Sequence, residues 1–320
     1  MFPGMDSPLK HALTASTWST HLPDWALSRA RDSSDLDAAF AAGIALKSLD
    51  DLVSTEPVWA GCWRARQALR CAAAAARLLG RKEAEAALRD TVLLTAPGDD
   101  PGPAGAVLLA FQKLAGKRQT VGSKLLEDFA GLMGLRREGM SEIVDIFDGA
   151  VQSGRAVPFA VAALVTQICS AQPDAEILAW WLADRLLGEK LGWECCLPLM
   201  MAERYGAAFR TIGGRGRLRP GDDGFERAVC LALVTGAGAA LRSAGEIAGR
   251  AERLQAIAPK VRTKGAEIVV HQLLAEDAVS AAAPGSKLSR WASRRLFERL
   301  ESFGAVRELS GRASFRIYGL

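Results

Sequence analysis

The chain has 320 residues, 49% of them hydrophobic and 24% charged, with a net charge of +4. That is enough apolar material for one large helical domain or two smaller ones, in a composition ordinary for a globular protein. Six Cys without a CxxC pair and three His leave no clustered ligand set for a structural zinc, and with 2 Tyr and 11 Phe the balance favours helix over sheet.

Residues 1–33 read as an irregular arm punctuated by Pro3, Pro8 and Pro23, without the continuous apolar core of a signal peptide. Asp32-Ser33-Ser34-Asp35 can cap a helix that runs through Leu36, Phe40, Ile44, Leu46 and Leu49 and stops at Glu56-Pro57. A long helix is predicted from Val58 to Leu79, with Trp59, Trp63, Leu69 and Leu78 on its apolar face and Gly80 as its stop. The small residues Cys71–Ala76 let neighbours approach it closely, so it belongs at the centre of a bundle. Arg81–Leu94 is the next helix, and Asp100 and the following prolines prepare another over Ala104–Ala115.

Further helices are expected at 120–134, 140–153, 157–171, 174–188 and 194–208. The Gly/Arg/Pro-rich Thr211–Asp223 is a loop. A long helix then runs from Phe225 to Ile257, with a break expected near Gly236-Ala-Gly238, and Pro259 ends it. The apolar stretches Val157–Ile168 and Ile177–Leu187 are too short or too interrupted to span a bilayer. A cytoplasmic protein with reduced thiols and no membrane partner is expected, the adjacent Cys195 and Cys196 included.

The C-terminal segment has a different pattern. Lys264–Ala275 reads as a helix, Asp277–Ala283 as a weak middle helix or turn, and Ser286–Phe303 as an amphipathic helix stopped by Gly304. Ala305–Leu309 and Ser314–Tyr318 follow as two short strands joined by Ser310-Gly311-Arg312-Ala313. Helix, glycine stop, strand, turn and strand is the order of a recognition helix followed by a wing. The predicted fold is therefore an all-α, multi-helix bundle (34–258) carrying a C-terminal winged helix-turn-helix (259–320) with a small two-stranded wing. Charge concentrates in the same place: Ser286–Leu320 holds eight Lys/Arg against three acids, a surplus of +5, which leaves the other 285 residues at −1. Such concentration is the footprint of a polyanion-binding surface. Lys287, Ser289, Arg290, Ser293 and Arg294 would face base edges and phosphates from the helix, and Arg312 and Arg316 would reach the backbone from the wing. Double-stranded DNA is the first partner expected. Winged helices also serve as docking modules, so a protein partner or a homodimer is the alternative.

Trp59-Ala-Gly-Cys-Trp-Arg-Ala-Arg-Gln-Ala-Leu-Arg70, Glu85-Ala-Ala-Leu-Arg-Asp90, Pro97-Gly-Asp-Asp-Pro-Gly-Pro-Ala-Gly105, Ala258-Pro-Lys-Val-Arg-Thr-Lys-Gly265 and the ending Arg294–Leu320 resemble a bacterial family of unknown function, number 1403 in the domain-of-unknown-function series. The resemblance covers most of the chain from about residue 36. It implies one helical unit with the C-terminal module attached, in a mainly alphaproteobacterial family, and it supplies no catalytic residues, metal or cofactor.

Catalytic signatures are missing: there is no GxSxG, HExxH, Walker A loop or GxGxxG after a strand. Gly213-Gly-Arg-Gly-Arg-Leu-Arg219 echoes a nucleotidyl-transferase loop but lacks the catalytic His before it. Asp99 and Asp100 could hold a divalent metal in an enzyme site, although helix capping by Asp100 and a tight Pro/Gly turn is the favoured account of them. Trp59 and Trp63, four apart, could line a pocket, but core packing is the favoured reading. A nucleic-acid-binding or regulatory protein is thus expected ahead of a docking adaptor, with an enzyme near Asp99-Asp100 as the third reading.

Overall fold

A computed structural model describes residues 18–27, 33–96, 98–211, 216–261, 263, 265–282, 288–312 and 315–320. It is mostly helical, with a small antiparallel sheet at the C-terminal end. The helices are α1 (Asp35–Thr55), α2 (Ala60–Leu78), α3 (Glu85–Leu94), α4 (Gly102–Ala115), α5 (Ser123–Met133), α6 (Met140–Gln152), α7 (Val157–Ala171), α8 (Glu176–Lys190), α9 (Met200–Glu203), α10 (Phe225–Ile257), α11 (Ala266–Ala275) and α12 (Arg290–Ser302). The strands are β1 (Val279–Ser280), β2 (Arg307–Glu308) and β3 (Ile317–Gly319).

Helix α1 starts where the sequence places a cap. Ser34 Oγ accepts from the Asp37 amide at 3.1 Å and the Asp37 carboxylate accepts from the Ser34 amide, a reciprocal capping box. Helix α2 is the hub. Its small residues Ala68, Ala72, Ala75 and Ala76 are buried, and it packs against α3, α4, α9, α10 and α11. Trp63 is buried and its indole N–H donates to the Ala240 carbonyl at 2.9 Å, which ties α2 to α10. Trp59 stacks edge-on between Trp18 and Trp63, so both tryptophans serve the core. Asp100 accepts from the Gly102 amide at 2.8 Å, the helix-starting role.

Three expectations change in the helical part. Residues 194–208 do not form one helix. Pro198 lacks an amide and keeps its predecessor extended, so only the short α9 and a 3-10 turn at Ala207–Phe209 form. Gly236 and Gly238 do not break α10. A Cβ on Gly236 would lie 3.0 Å from Leu199 Cγ, so that glycine is where the α9 approach presses onto an unbroken helix. Helix α3 begins at Glu85 because Gly80 takes a left-handed conformation and the Arg81 amide returns to the Ala76 carbonyl, closing α2. Helix α10 and the turn after it are long and apolar enough to cross a membrane by length and composition; here most of that stretch is buried against α1, α7 and their neighbours.

The C-terminal unit packs on α2 through α11. The contact is close enough that a Cβ on Gly61 would lie 2.8 Å from the Ala275 carbonyl oxygen. A Gly61→Ala change must push α11 away, and thermal denaturation should register a loss of about 1–3 kcal/mol. Strand β3 lies in the middle of the sheet, paired with β1 (Val279 opposite Tyr318) and with β2 (Glu308 opposite Tyr318). The sheet therefore has three strands rather than two. Of the expected middle helix or turn over 277–283, residues 277–282 are described and are not helical: Val279–Ser280 is strand, and the Ala281 amide donates to the Arg316 carbonyl at 3.0 Å. A buried, β-branched Val279 beside β3 gains more from sheet pairing than from an isolated turn of helix.

Candidate nucleic-acid interface

Helix α12 separates its two faces cleanly. Ser289 is its N-cap, accepting from the Ala292 amide at 3.2 Å. Ser293, Leu296, Phe297 and Leu300 are buried against the sheet, where the Phe297 ring stacks on Tyr318 with centroids 4.7 Å apart. Arg290, Trp291, Arg294, Arg295, Glu298 and Arg299 face outward and are exposed. Trp291 is 67% exposed, and the Arg295 guanidinium lies over its ring at 4.5 Å. The outer face is open rather than folded back onto the bundle.

The seven residues singled out from the sequence fare differently. Arg290 and Arg294 share the open face, but Arg294 pairs with Glu298 at 2.9 Å. Ser289 is committed to the cap. Ser293 is fully buried and donates its hydroxyl to the Ala281 carbonyl at 2.8 Å, so it holds β1 to the helix and has no access to a groove. Arg316 reaches the Tyr318 hydroxyl at 3.5 Å and stands 4.0 Å from Glu298. Arg312 turns towards the bundle and pairs with Asp90 of α3 at 2.9 Å. Lys287 lies outside the described residues, as do Ala313 of the expected wing turn and Ser314 of the expected strand after it. The described part of that turn is built around Glu308. Burial pushes its carboxyl upward, but the Ser310 hydroxyl and the Gly311 and Ser310 amides outweigh this and hold it below the usual range.

Arg295 and Arg299 belong to the same open face and were not singled out from sequence. Their signal is the i, i+4, i+5, i+9 spacing from Arg290, which puts all four arginines on one side of a helix that starts at Ser289.

Behind the sheet a buried ion network fastens the unit to the bundle. Asp277, just before β1, takes Arg66 of α2 on one carboxylate oxygen and Arg89 of α3 on the other. Arg66 also donates to the Leu320 carbonyl at 3.1 Å. Burial alone would raise the Asp277 carboxyl, yet the two guanidiniums hold it below the ordinary carboxylate range. Cys62, beside this network, is pushed up to about 12 chiefly by burial, so it stays a thiol. No residue of the network stands out in sequence, because its members are 188 and 211 positions apart.

Asp99 and Asp100 gather no further acid around them: among the described residues, no three His, Cys, Asp or Glu side chains come together as a metal site would need. No curated protein and no solved structure matches the chain. One family model does, and it runs over residues 10–320, bundle and C-terminal unit together. The chain accordingly belongs to the family described as "protein of unknown function (DUF1403)".

Proposed function

We propose that the C-terminal unit is a winged-helix reading head that grips duplex nucleic acid, and that the protein is a nucleic-acid-binding regulator. The observation that carries this is the open arginine face of α12. Four exposed guanidiniums, Arg290, Arg294, Arg295 and Arg299, stand on a helix whose other face is fully spent on the sheet. A helix of this kind fits a major groove, with arginine pairing to guanine edges and phosphates. The helix–strand–helix–strand–strand order, with β3 central, supports the winged-helix assignment to residues 259–320.

The ion pairs rank the contacts. Arg290, Arg295 and Arg299 have no acid within ion-pair distance among the described residues, whereas Arg294 is held by Glu298 and Arg312 by Asp90. The first three should therefore contribute most. Fluorescence anisotropy of a labelled duplex against the full chain tests this. Affinity should fall linearly with salt on a log–log plot, by roughly 0.9 per phosphate contacted. Arg290→Ala with Arg295→Ala should weaken binding by roughly tenfold or more and flatten the slope, with Arg312→Ala nearly silent. Full-strength binding by the double variant, or none by the intact chain at low salt, would overturn the reading.

A docking role for the same face is favoured by one feature: Trp291 and Phe303 are 67% and 50% exposed on α12 and its C-cap. Salt-insensitive capture of a protein that fails with Trp291→Ala would replace the nucleic-acid reading with this one.

A further inference from the structure

Where the bend between α11 and β1 meets α2, α3 and α4 lies a cavity of about 460 Å³. Pockets that take small organic molecules span roughly 300–1,000 Å³ and are mostly apolar with a few placed polar groups. This one has that character. Leu69, Val92, Leu93 and Leu108 form its apolar wall, while Arg64, Arg89 and Asp277 are among its polar groups.

The wall carries charge of both signs, the exposed Glu276 carboxylate included. Arg64 is matched, since its Nη1 atom meets both Glu56 oxygens at 2.9 Å. Arg66 and Arg89, however, divide one carboxylate between them, so the triad with Asp277 keeps one positive charge. Arg89 is the triad's guanidinium that lines the cavity. Its Nε serves Asp277, and among the described residues its two Nη atoms have no partner. A half-satisfied guanidinium in the wall of a mostly apolar cavity suits a ligand with a hydrocarbon body and an anionic head.

We propose that the cavity binds a small apolar carboxylic acid, its carboxylate on the Nη edge of Arg89 and its hydrocarbon part against Leu69, Val92 and Leu108. The acid's carboxylate gives the Nη edge of Arg89 the acceptor that Asp277, taken up on Nε, does not supply. Three walls, α2, α3 and α4, belong to the bundle and the fourth to the segment that leads into β1, so a bound acid braces the C-terminal unit against them. The reading needs no nucleic acid, and its fate is independent of the proposal above.

Calorimetry and thermal shift on the full chain test it, with benzoate, 4-phenylbutyrate and octanoate as probes and benzamide, 4-phenylbutyramide and octanamide as uncharged matches. At least one acid should bind and raise Tm at millimolar concentration, and its amide should bind at least about tenfold more weakly, as expected for a charge-assisted pair. Hydrogen exchange at residues 279–280 and 317–319 should slow when the acid is present. Ala65→Phe fills the cavity without touching the ion network and should abolish binding while leaving the far-UV circular dichroism unchanged. Arg89→Met should remove the preference for acid over amide. Absence of binding by every acid, equal binding of acid and amide, or undiminished binding by the Ala65→Phe variant would overturn the proposal.

Discussion

Replacing Asp277 by Ala should destabilise the protein by about 3–5 kcal/mol, the usual cost of removing one partner from a buried ion network. Arg66 is only 8% exposed and Arg89 is half-buried, so the variant leaves two guanidiniums at the junction without the carboxylate they share. The damage should be local first. The α11–β1 bend loses its anchor to α2 and α3, so limited proteolysis ought to cut near residues 276–282 before the bundle unfolds. The pH dependence has a definite sign. The folded carboxyl is held below its unfolded value, so its contribution is complete above the unfolded pKa and is lost as pH falls through the folded one. The gap in urea midpoint between wild type and variant should thus be wide at neutral pH and close in acid. Combining Asp277→Leu with Arg66→Met, which removes charge from both sides of the pair, should restore part of the loss. If the Asp277→Ala variant matches wild type in urea midpoint at pH 7, the network is not what fastens the unit.

Asp184 should be nearly as costly to lose, for a different reason. It is fully buried in α8, and its two oxygens accept from the Leu199 and Met200 amides, each at 2.9 Å. These are the unsatisfied donors at the start of α9, a helix too short to stand alone. Ala at this position leaves both amides buried without acceptors, and the expected loss is about 2–4 kcal/mol. Asn keeps one acceptor and should recover about half of it. Burial raises the Asp184 carboxyl to about 7, against the pull of the two amides. An acid raised on folding favours the protonated folded state. Its contribution is therefore complete below the unfolded pKa near 3.8 and declines as pH rises towards about 7. The difference in urea midpoint between wild type and Asp184→Ala should narrow from pH 5 to pH 7.5, the opposite trend to Asp277. A gap that widens over that range would refute the assignment.

The helices were legible because their signals are local. Ser34 and Asp37 cap α1, Asp100 prepares α4, and the alanines of α2 announce a helix that others can approach. Where local and tertiary forces disagree, the sequence misleads. Gly236 and Gly238 look like a break, yet they give α10 the room to sit against Leu199 and Leu22. Ser293 looks like a groove-facing hydroxyl because its neighbours are arginines; it is one residue round the helix from them and buried. Strand β1 has two residues and no alternation to betray it, and only its partner β3 makes it a strand. The anchoring network and the cavity behind it were invisible for the same reason. Arg66, Arg89 and Asp277 are ordinary charged residues until α2, α3 and the α11–β1 bend bring them together.

The order of the sheet also governs when the C-terminal unit can assemble. Strands β1 and β2 never touch, since both pair only with β3, and β3 is the last of the three to leave the ribosome. During synthesis the bundle can close around α2 while β1 and α12 still lack the strand that joins them. The arginine face of α12 therefore gains its backing only after the bundle has been able to close, and a chain truncated before Ile317 would keep the bundle but leave β1 and β2 without the strand they share.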